Sequence, residues 1–447
     1  MPSLRFPHPL ILLVGCILLA AAASYVLPAG QYDRRDDPTT GRRVVVAGTY
    51  HAVPPSPVGA FQAMVAIPKG MADAASVVFL VFLVGGAFTV VDQTGVLRRA
   101  VDWLVRRLQR REALVIPTVC VAFAAGGALE NMGEEIIALV PVLLLLTRRL
   151  GFDVLAAVAM SLGAAVVGAA FSPINPFQVG IAQKLAELPL LSGSLFRITF
   201  LVPALGFWIW GTHRYAFRTR AAPQAADLEG SGPLGLRHGA VLLLVLGTFA
   251  VFVLGVLRFE WSFDQMSALF FVMGVAAGLL GGLRVAGTAE AFVEGFKSMA
   301  YAALLIGFAR AIYVVLDQGQ IVDTIVHALF APIARLPLAL SALGMTAMQT
   351  AIHFPVPSVS GQAVLTLPVL VPVSDLLGLS RQVTVLSYQY GAGLCEMLTP
   401  TNGALMAILA AAGVRYERWL QFAVPLYLGL AALGLLAIGV GIAIGLK

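Results

Sequence analysis

The chain has 447 residues, of which 59% are hydrophobic and 12% charged, with a formal net charge of +6. A soluble fold of this length has no core that could hide so many apolar residues in runs of about 20, so a polytopic membrane protein is what remains. The arginines fall in short loops between apolar runs, which is a topology signal and not a nucleic-acid footprint, and Cys16, Cys120 and Cys395 lie in apolar segments without metal-ligand spacing.

Taken in order, residues 9–28 form a first span behind Arg5, read as a retained anchor with a cleavable signal peptide as the alternative. A polar loop, 29–58, holds Asp33 to Asp37 and the stretch VVVAGTYHAV, which suits a short hairpin. An interfacial piece from Phe61 to Met71 leads to a span at 74–93. In the segment 97–112, Leu97, Val101, Leu104, Val105 and Leu108 share one helical face opposite arginines, so an amphipathic cytoplasmic helix is expected. Residues 113–147 are apolar but interrupted by GGALENMGEE, giving two arms of about 15 residues, too short to cross comfortably and expected to form a re-entrant hairpin. A span at 153–186 is broken by SPIN (172–175), and 196–213 crosses back to a basic linker running to residue 238. After connecting spans at 240–257 and 265–283 come a span at 298–317, an interfacial helix at 320–332 and a hairpin at 337–374 with its tip at HFPVPSVSGQ. A span at 382–412, broken by TPTN (399–402), and a last span at 419–445 complete the chain.

The two interrupted spans belong to a repeat. The register that carries Pro173 onto Pro400 also carries Asn175 onto Asn402, Pro141 onto Pro368 and Gly151 onto Gly378, and a nearly identical one pairs Asp92-Gln93 with Asp317-Gln318. Paired interrupted segments in corresponding halves point to the binding site of a secondary transporter. The expected division is an N-terminal span and loop (1–59), repeat one (60–215), a linker with two connecting spans (216–285) and repeat two (286–447). Each repeat contributes three crossings and the connector two, so the second repeat is inverted. The whole is expected to be an all-α protein of about nine transmembrane helices, two re-entrant hairpins and two broken helices. Its N-terminus is expected inside and its C-terminus outside, which places the arginine-rich segments in the cytoplasm.

Irregular backbone at membrane depth survives only where protein buries it or where it lines a cavity, so each hairpin tip should meet a helix break. Two clusters result. The first holds Glu130, Asn131, Gly133, Glu134 and Glu135 with Ser172, Pro173 and Asn175. The second holds Ser358, Ser360, Gly361 and Gln362 with Thr399, Pro400, Thr401 and Asn402. Free carbonyls and side-chain oxygens suit a hard cation, with Na+ expected at Asn131, Ser172 and Asn175 and at Ser360, Thr399 and Asn402; H+ is the alternative coupling ion, and no other cofactor is implied. A carboxylate at the bilayer centre costs roughly 2.5–3.5 kcal/mol, so three glutamates within six residues point to a cationic amine, Na+ or protons, although one or two would also serve as caps for the second arm. Glu396 lies one turn before Pro400 and joins the same cavity. Arg310, read as the only strong cation at depth, is a candidate carboxylate clamp or an ion-pair partner for a buried Glu. His353 reads as a hydrogen-bonded packing residue, with a proton relay as the alternative.

The segment MGEEIIALVPVLLLL, then SPINPFQVGIAQ followed by LPLLSG, resembles the YfcC family. These are bacterial carriers grouped with the anaerobic C4-dicarboxylate carriers and described as basic amino-acid or arginine/ornithine antiporters. The resemblance runs from about residue 60 to the end, and the wider group is similar to the ion transporter superfamily of elevator-type carriers. It implies a scaffold and a transport domain, a homodimer, a bacterial inner-membrane location and a small charged metabolite as cargo. One departure is the tip Glu-Asn-Met-Gly-Glu, where dicarboxylate members of the superfamily often carry Ser-Asn-Thr. The expected function is therefore ion-coupled symport or exchange of an amino acid or short peptide, with a Na+-coupled C4-dicarboxylate carrier as the alternative. An intramembrane enzyme is a distant third, because HExxH and GxSxG are absent; without a GxxxxGK[ST] loop a primary pump is not expected.

Overall fold

The apolar runs fold as helices, and the polar loop after the first of them folds as strands. The computed structural model describes residues 9–37, 42–97, 99, 112–221, 235–259, 261, 263–330, 332 and 337–446. Among these, six helices are long and apolar enough to cross a bilayer by length and composition: Ala75–Gln93, Ser194–Arg218, Phe263–Gly281, Arg284–Gln318, Val359–Leu376 and Tyr416–Ala443. Apolar helices at Leu10–Val26, Val115–Leu129, Val154–Ala170 and Leu236–Phe252 are shorter. The amphipathic segment expected at 97–112 falls, apart from Leu97, Arg99 and Glu112, outside the described residues, as do linker residues 222–234.

Arg284–Gln318 is a 35-residue helix of about 52 Å at 1.5 Å per residue. The expected span, 298–317, is only its C-terminal part. Hydropathy picks out the stretch at membrane depth and passes over the turns carrying Arg284, Glu290, Glu294 and Lys297, which continue the same helix. Pro9–Val26, Ala60–Asp73, Ala75–Gln93 and Gly403–Ala411 all pack against it. At Gly295 the contact is backbone on backbone, since a Cβ there would lie 2.5 Å from Gly86 Cα; small residues permit this approach where lipid supplies no hydrophobic drive. Both Asp-Gln pairs close their helices, which end at Gln93 and Gln318.

The polar loop pairs differently from expectation. The two ends of VVVAGTYHAV do not pair with each other. Arg42–Val45 lies antiparallel to Arg34–Asp37, and His51–Ala52 to Gly30–Gln31. The folded loop docks on the short helix Val322–Phe330. Asp323 accepts the Tyr32 amide N–H at 2.9 Å and the Arg34 guanidinium at 2.9 Å, while the Tyr50 ring stacks on His327 with centroids 4.0 Å apart. Burial, and then the Asp323 charge, pushes the Tyr32 hydroxyl up to about 12.

The repeat is written into local geometry. The first hairpin consists of Val115–Glu130 and Glu134–Arg149, the second of Leu338–Ile352 and Val359–Leu376. Each second arm carries its matched proline, Pro141 or Pro368. Each also ends on a left-handed glycine, Gly151 (φ 74°) or Gly378 (φ 71°). There the Phe152 N–H donates to Thr147 O and, at the matched place, the Leu379 N–H to Ser374 O, the closing bond of a Schellman turn. The next helix then starts on a side-chain cap at matched positions, Asp153 and Ser380. The broken spans run Val154–Ala170 to Leu185, with π-helical turns at Ala159–Gly163 and Pro176–Gly180, and Arg381–Cys395 to Ala411.

Candidate functional site

At the first break Ser172 ends one half-helix by serving three partners. Its hydroxyl donates to Ala128 O at 2.7 Å and accepts the amides of Ile174 and Asn175 at 3.0 and 2.8 Å. Asn175 opens the next half. Its Oδ1 accepts the amides of Phe177 and Gln178, both at 2.9 Å, and its Nδ2 donates to Gly127 O at 2.8 Å. Pro173 is buried between them. The hairpin and the broken helix approach closely enough for this because glycines line the seam: a Cβ on Gly127 would sit 2.0 Å from Ala165 O, and one on Gly168 2.0 Å from Ala124 O.

The second break uses the same devices at matched positions. Asn402 caps Gly403–Ala411 by accepting the Leu405 amide at 3.0 Å, and Leu405 is the match of Gln178. Thr401 Oγ1 donates to Phe354 O at 2.6 Å, and Phe354 is the match of Gly127. Thr399 Oγ1 donates to Cys395 O at 2.8 Å, and Pro400 is partly buried. Below the tip, Ser358 caps the second arm through the Gly361 amide at 3.2 Å, and partly buried Ser360 lies in its first turn. Buried Gln362 bonds His353 Nδ1 at 3.0 Å and donates to Gln349 O at 2.6 Å. His353 thus has one ring nitrogen bonded, while its Nε2 is buried without a partner.

The first tip is chemically different. Asn131 adopts a left-handed conformation (φ 61°) that turns the chain, and Gly133 precedes the second arm with Glu134 and Glu135 in its first turn, where the helix dipole favours acids. Glu135 caps this arm by accepting the Gly133 amide at 3.1 Å, and it lines an apolar seam with Leu80, Val84, Met132 and Phe270. Asn131 looks the other way. Its Oδ1 accepts Gln178 Nε2 at 2.7 Å, and its side chain lies beside Glu396, with Glu134 within electrostatic reach. Glu134 and Glu396 are both partly buried. The Glu130 side chain lies outside the described residues.

The two clusters therefore meet at one crossing. The first tip touches the second break through Asn131 and Glu396, and Gly133 faces Ala404. Val359 of the second hairpin packs with Val179 and Ala182 of the first broken helix. The oxygen atoms differ in what they have left to give. Ser172 Oγ and Asn175 Oδ1 each already accept two amides, so in this conformation the first trio offers a sodium ion little beyond Asn131. Capacity remains at the carboxylates of Glu134 and Glu396 and at Gln178 Oε1, a buried acceptor with no hydrogen-bond partner. At the second break Thr399 Oγ1 also meets Cys395 Sγ at 3.2 Å, while Asn402 Oδ1, accepting one amide, keeps a lone pair.

Arg310 pairs with Asp73 of Ala60–Asp73 and lies 4.9 Å from the centroid of the Tyr313 ring, so its partner is an aspartate of the neighbouring helix and not a glutamate. A second arginine is buried more deeply. Arg197, near the start of Ser194–Arg218, is fully buried. Its Nε donates to Gln389 Oε1 at 3.0 Å, and its terminal nitrogens reach Ser192 O at 2.9 Å and Gln382 Oε1 at 3.2 Å. Gln389 in turn donates to Ser172 O at 2.7 Å. Neither Arg197 nor Gln178 stands out in the sequence, because a polar residue near the edge of an apolar run reads as interfacial.

A family model for the C4-dicarboxylate anaerobic carrier, DcuC, matches residues 6–443. A protein of Escherichia coli (strain K12) named "Putative basic amino acid antiporter YfcC" is 31% identical, over 97% of this chain and 94% of that one. Among solved structures, the YdaH transporter of Alcanivorax borkumensis aligns over 98% of this chain and 99% of its own at 18% identity, with a TM-score of 0.46. MtrF of Neisseria gonorrhoeae, described with a class of antimetabolite efflux pumps, aligns over 98% and 95% at 16% identity, with a TM-score of 0.40.

Proposed function

The chain belongs to the C4-dicarboxylate anaerobic carrier family and is a membrane transporter of that type; within this type we propose an ion-coupled symporter or exchanger of a small cationic metabolite, arginine- or ornithine-like, or a short peptide with a free amine. The observation that carries this reading is that Glu134 of the first tip and Glu396 before the second break come within electrostatic reach of each other where Gly133 meets Ala404 and Asn131 lies beside Glu396. Two carboxylates at membrane depth repel, and each pays for lost hydration. An ammonium or guanidinium between them relieves both penalties and offers hydrogens to Gln178 Oε1. The printed name of the Escherichia coli relative agrees with such a cargo.

In this reading Na+ or H+ supplies the energy, with Ser360, Thr399 and Asn402 as the sodium ligands. The hairpins and broken helices move as a block against the scaffold around Arg284–Gln318, in an elevator-type cycle. The protein is a homodimer in a bacterial inner membrane, N-terminus inside and C-terminus outside, and performs no covalent chemistry. The family's own description supports a second reading, a Na+-coupled C4-dicarboxylate carrier, in which the same glutamates hold cations.

Melting of the detergent-purified protein against arginine, ornithine, neutral amino acids, dipeptides, succinate and malate, with and without Na+, separates the two. A ligand at a hundredfold excess over Kd stabilises by about 2.7 kcal/mol. Arginine or ornithine should raise the melting temperature, and Glu396→Gln should remove the rise. Stabilisation by succinate only in the presence of Na+ would replace the first reading by the second. Hydrolysis of a solute that is not exchanged across liposomes would replace both with an enzyme.

A further inference from the structure

Among the described residues, Arg197 is the one fully buried arginine, and it serves neutral acceptors. Those acceptors are Gln389 Oε1, Gln382 Oε1 and Ser192 O. Burying a guanidinium costs several kcal/mol, which three neutral acceptors recover only in part. A glutamine at the same place would avoid the buried charge, but it has two N–H donors for three acceptors and brings an acceptor oxygen of its own.

What arginine has that glutamine lacks is polarity of a single kind. It carries five N–H donors and no acceptor, whereas a side-chain amide is donor at one end and acceptor at the other. Facing Arg197, both glutamines must present Oε1 to it. Their Nε2 groups must then point outward, and they do: Gln389 Nε2 donates to Ser172 O at 2.7 Å, and Gln382 Nε2 to Ser192 Oγ at 2.6 Å. Ser172 O is a carbonyl that the helix break would otherwise leave without a donor. The hydroxyl of the same residue anchors the hairpin at Ala128 O and receives the amides of Ile174 and Asn175. The direction of one buried amide therefore sets the turn that carries Asn175 and, three residues on, Gln178, the partner of Asn131.

We propose that Arg197 is a positioning residue for the first helix break: a donor-only group that fixes which way Gln389 points, and through Gln389 holds the Ser172 carbonyl and the turn after it in cargo-receiving geometry. Arg197 touches neither cargo nor ion. The inference concerns the break itself and stands whichever solute is carried.

Three variants of the full-length protein in detergent separate orientation from mere packing. Arg197→Lys keeps a donor-only head, Arg197→Gln admits the flipped amide, and Gln389→Glu keeps an acceptor for Arg197 while deleting the N–H that Ser172 O receives. Amide hydrogen exchange is read on peptides covering 171–178 and, as an internal reference, 398–405. Gln389→Glu and Arg197→Gln should each speed exchange in the first peptide by about tenfold, equivalent to about 1.4 kcal/mol, while leaving the second unchanged. Arg197→Lys should stay within about threefold of wild type. Equal exchange in Arg197→Gln and Arg197→Lys, wild-type exchange in Gln389→Glu, or acceleration spread equally over both peptides would each overturn the proposal. Should Arg197→Gln fail to fold, Gln389→Glu alone decides, because its new carboxylate compensates the buried charge.

Discussion

The two hairpin tips share a backbone and differ in chemistry. At both, an asparagine opens the half-helix after the break, and a side chain from the break donates to the carbonyl at the matched place, Gly127 or Phe354. Around the second tip Gln362, Gln349, His353 and Thr366 bond one another, and His353 Nε2 is buried without a partner. Around the first, Glu134 and Glu396 lie within electrostatic reach of each other beside Asn131, and Gln178 Oε1 is buried without a partner. The two tips keep the same backbone devices, and only the first carries acids.

The comparison breaks most visibly at the carboxylates. Joint replacement Glu134→Gln with Glu396→Gln should reduce arginine uptake into proteoliposomes by at least about a hundredfold, since each lost charge contact is worth one or two factors of ten, with the melting temperature held or raised. Retained uptake would move recognition away from the first tip. At the second tip Gln362→Leu should act on stability, costing about 1–3 kcal/mol by stranding His353 and Gln349, without changing which ligands shift the melting point. Crowding the seam comes next. Gly127→Ala should cost about 1–3 kcal/mol, and Gly391→Ala less, because a Cβ at Gly391 would lie 2.5 Å from Thr346 O against 2.0 Å at Gly127. The smallest effects belong to the caps. Asn402→Ala should cost about 1 kcal/mol, and Asn175→Ala somewhat more, because it also loses the bond to Gly127 O; thermal melts of the pair measure the difference. Both should weaken ion-dependent uptake, and an unchanged sodium response in both would remove these breaks from the ion path.

Much of this was legible in the residues. Pro173 and Pro400 mark the breaks, Gly151 and Gly378 the arm ends, and Asp-Gln pairs the helix ends, because each residue type has few backbone conformations to choose from. The acids at the first tip were legible too, since a membrane makes carboxylates costly. What escaped was whatever depends on a partner far along the chain. Arg197 follows LSGSLF at the edge of an apolar run and reads as a side chain reaching for water. Its burial is decided by Gln389, 192 residues away. Gln178 lacks charge and periodicity, and only its contact with Asn131 gives it meaning. The N-terminal turns of Arg284–Gln318 were passed over because their polarity resembles a loop while their conformation follows the apolar turns beyond. The strands of the first loop pair across it because the docking surface at Asp323 and His327 selects that arrangement.

The glycine seam has a practical consequence for anyone wishing to watch this carrier at work. With Gly127 against Ala165 and Gly168 against Ala124, Val115–Glu130 and Val154–Ala170 cannot slide past each other without their backbones colliding. A pair of spin labels attached to the outer faces of these two helices should give the same narrow distance distribution in every liganded and unliganded sample. That pair is a built-in ruler against which labels spanning the Glu135 seam can be calibrated. Any broadening that appears there and not in the ruler is motion of the protein and not of the probe.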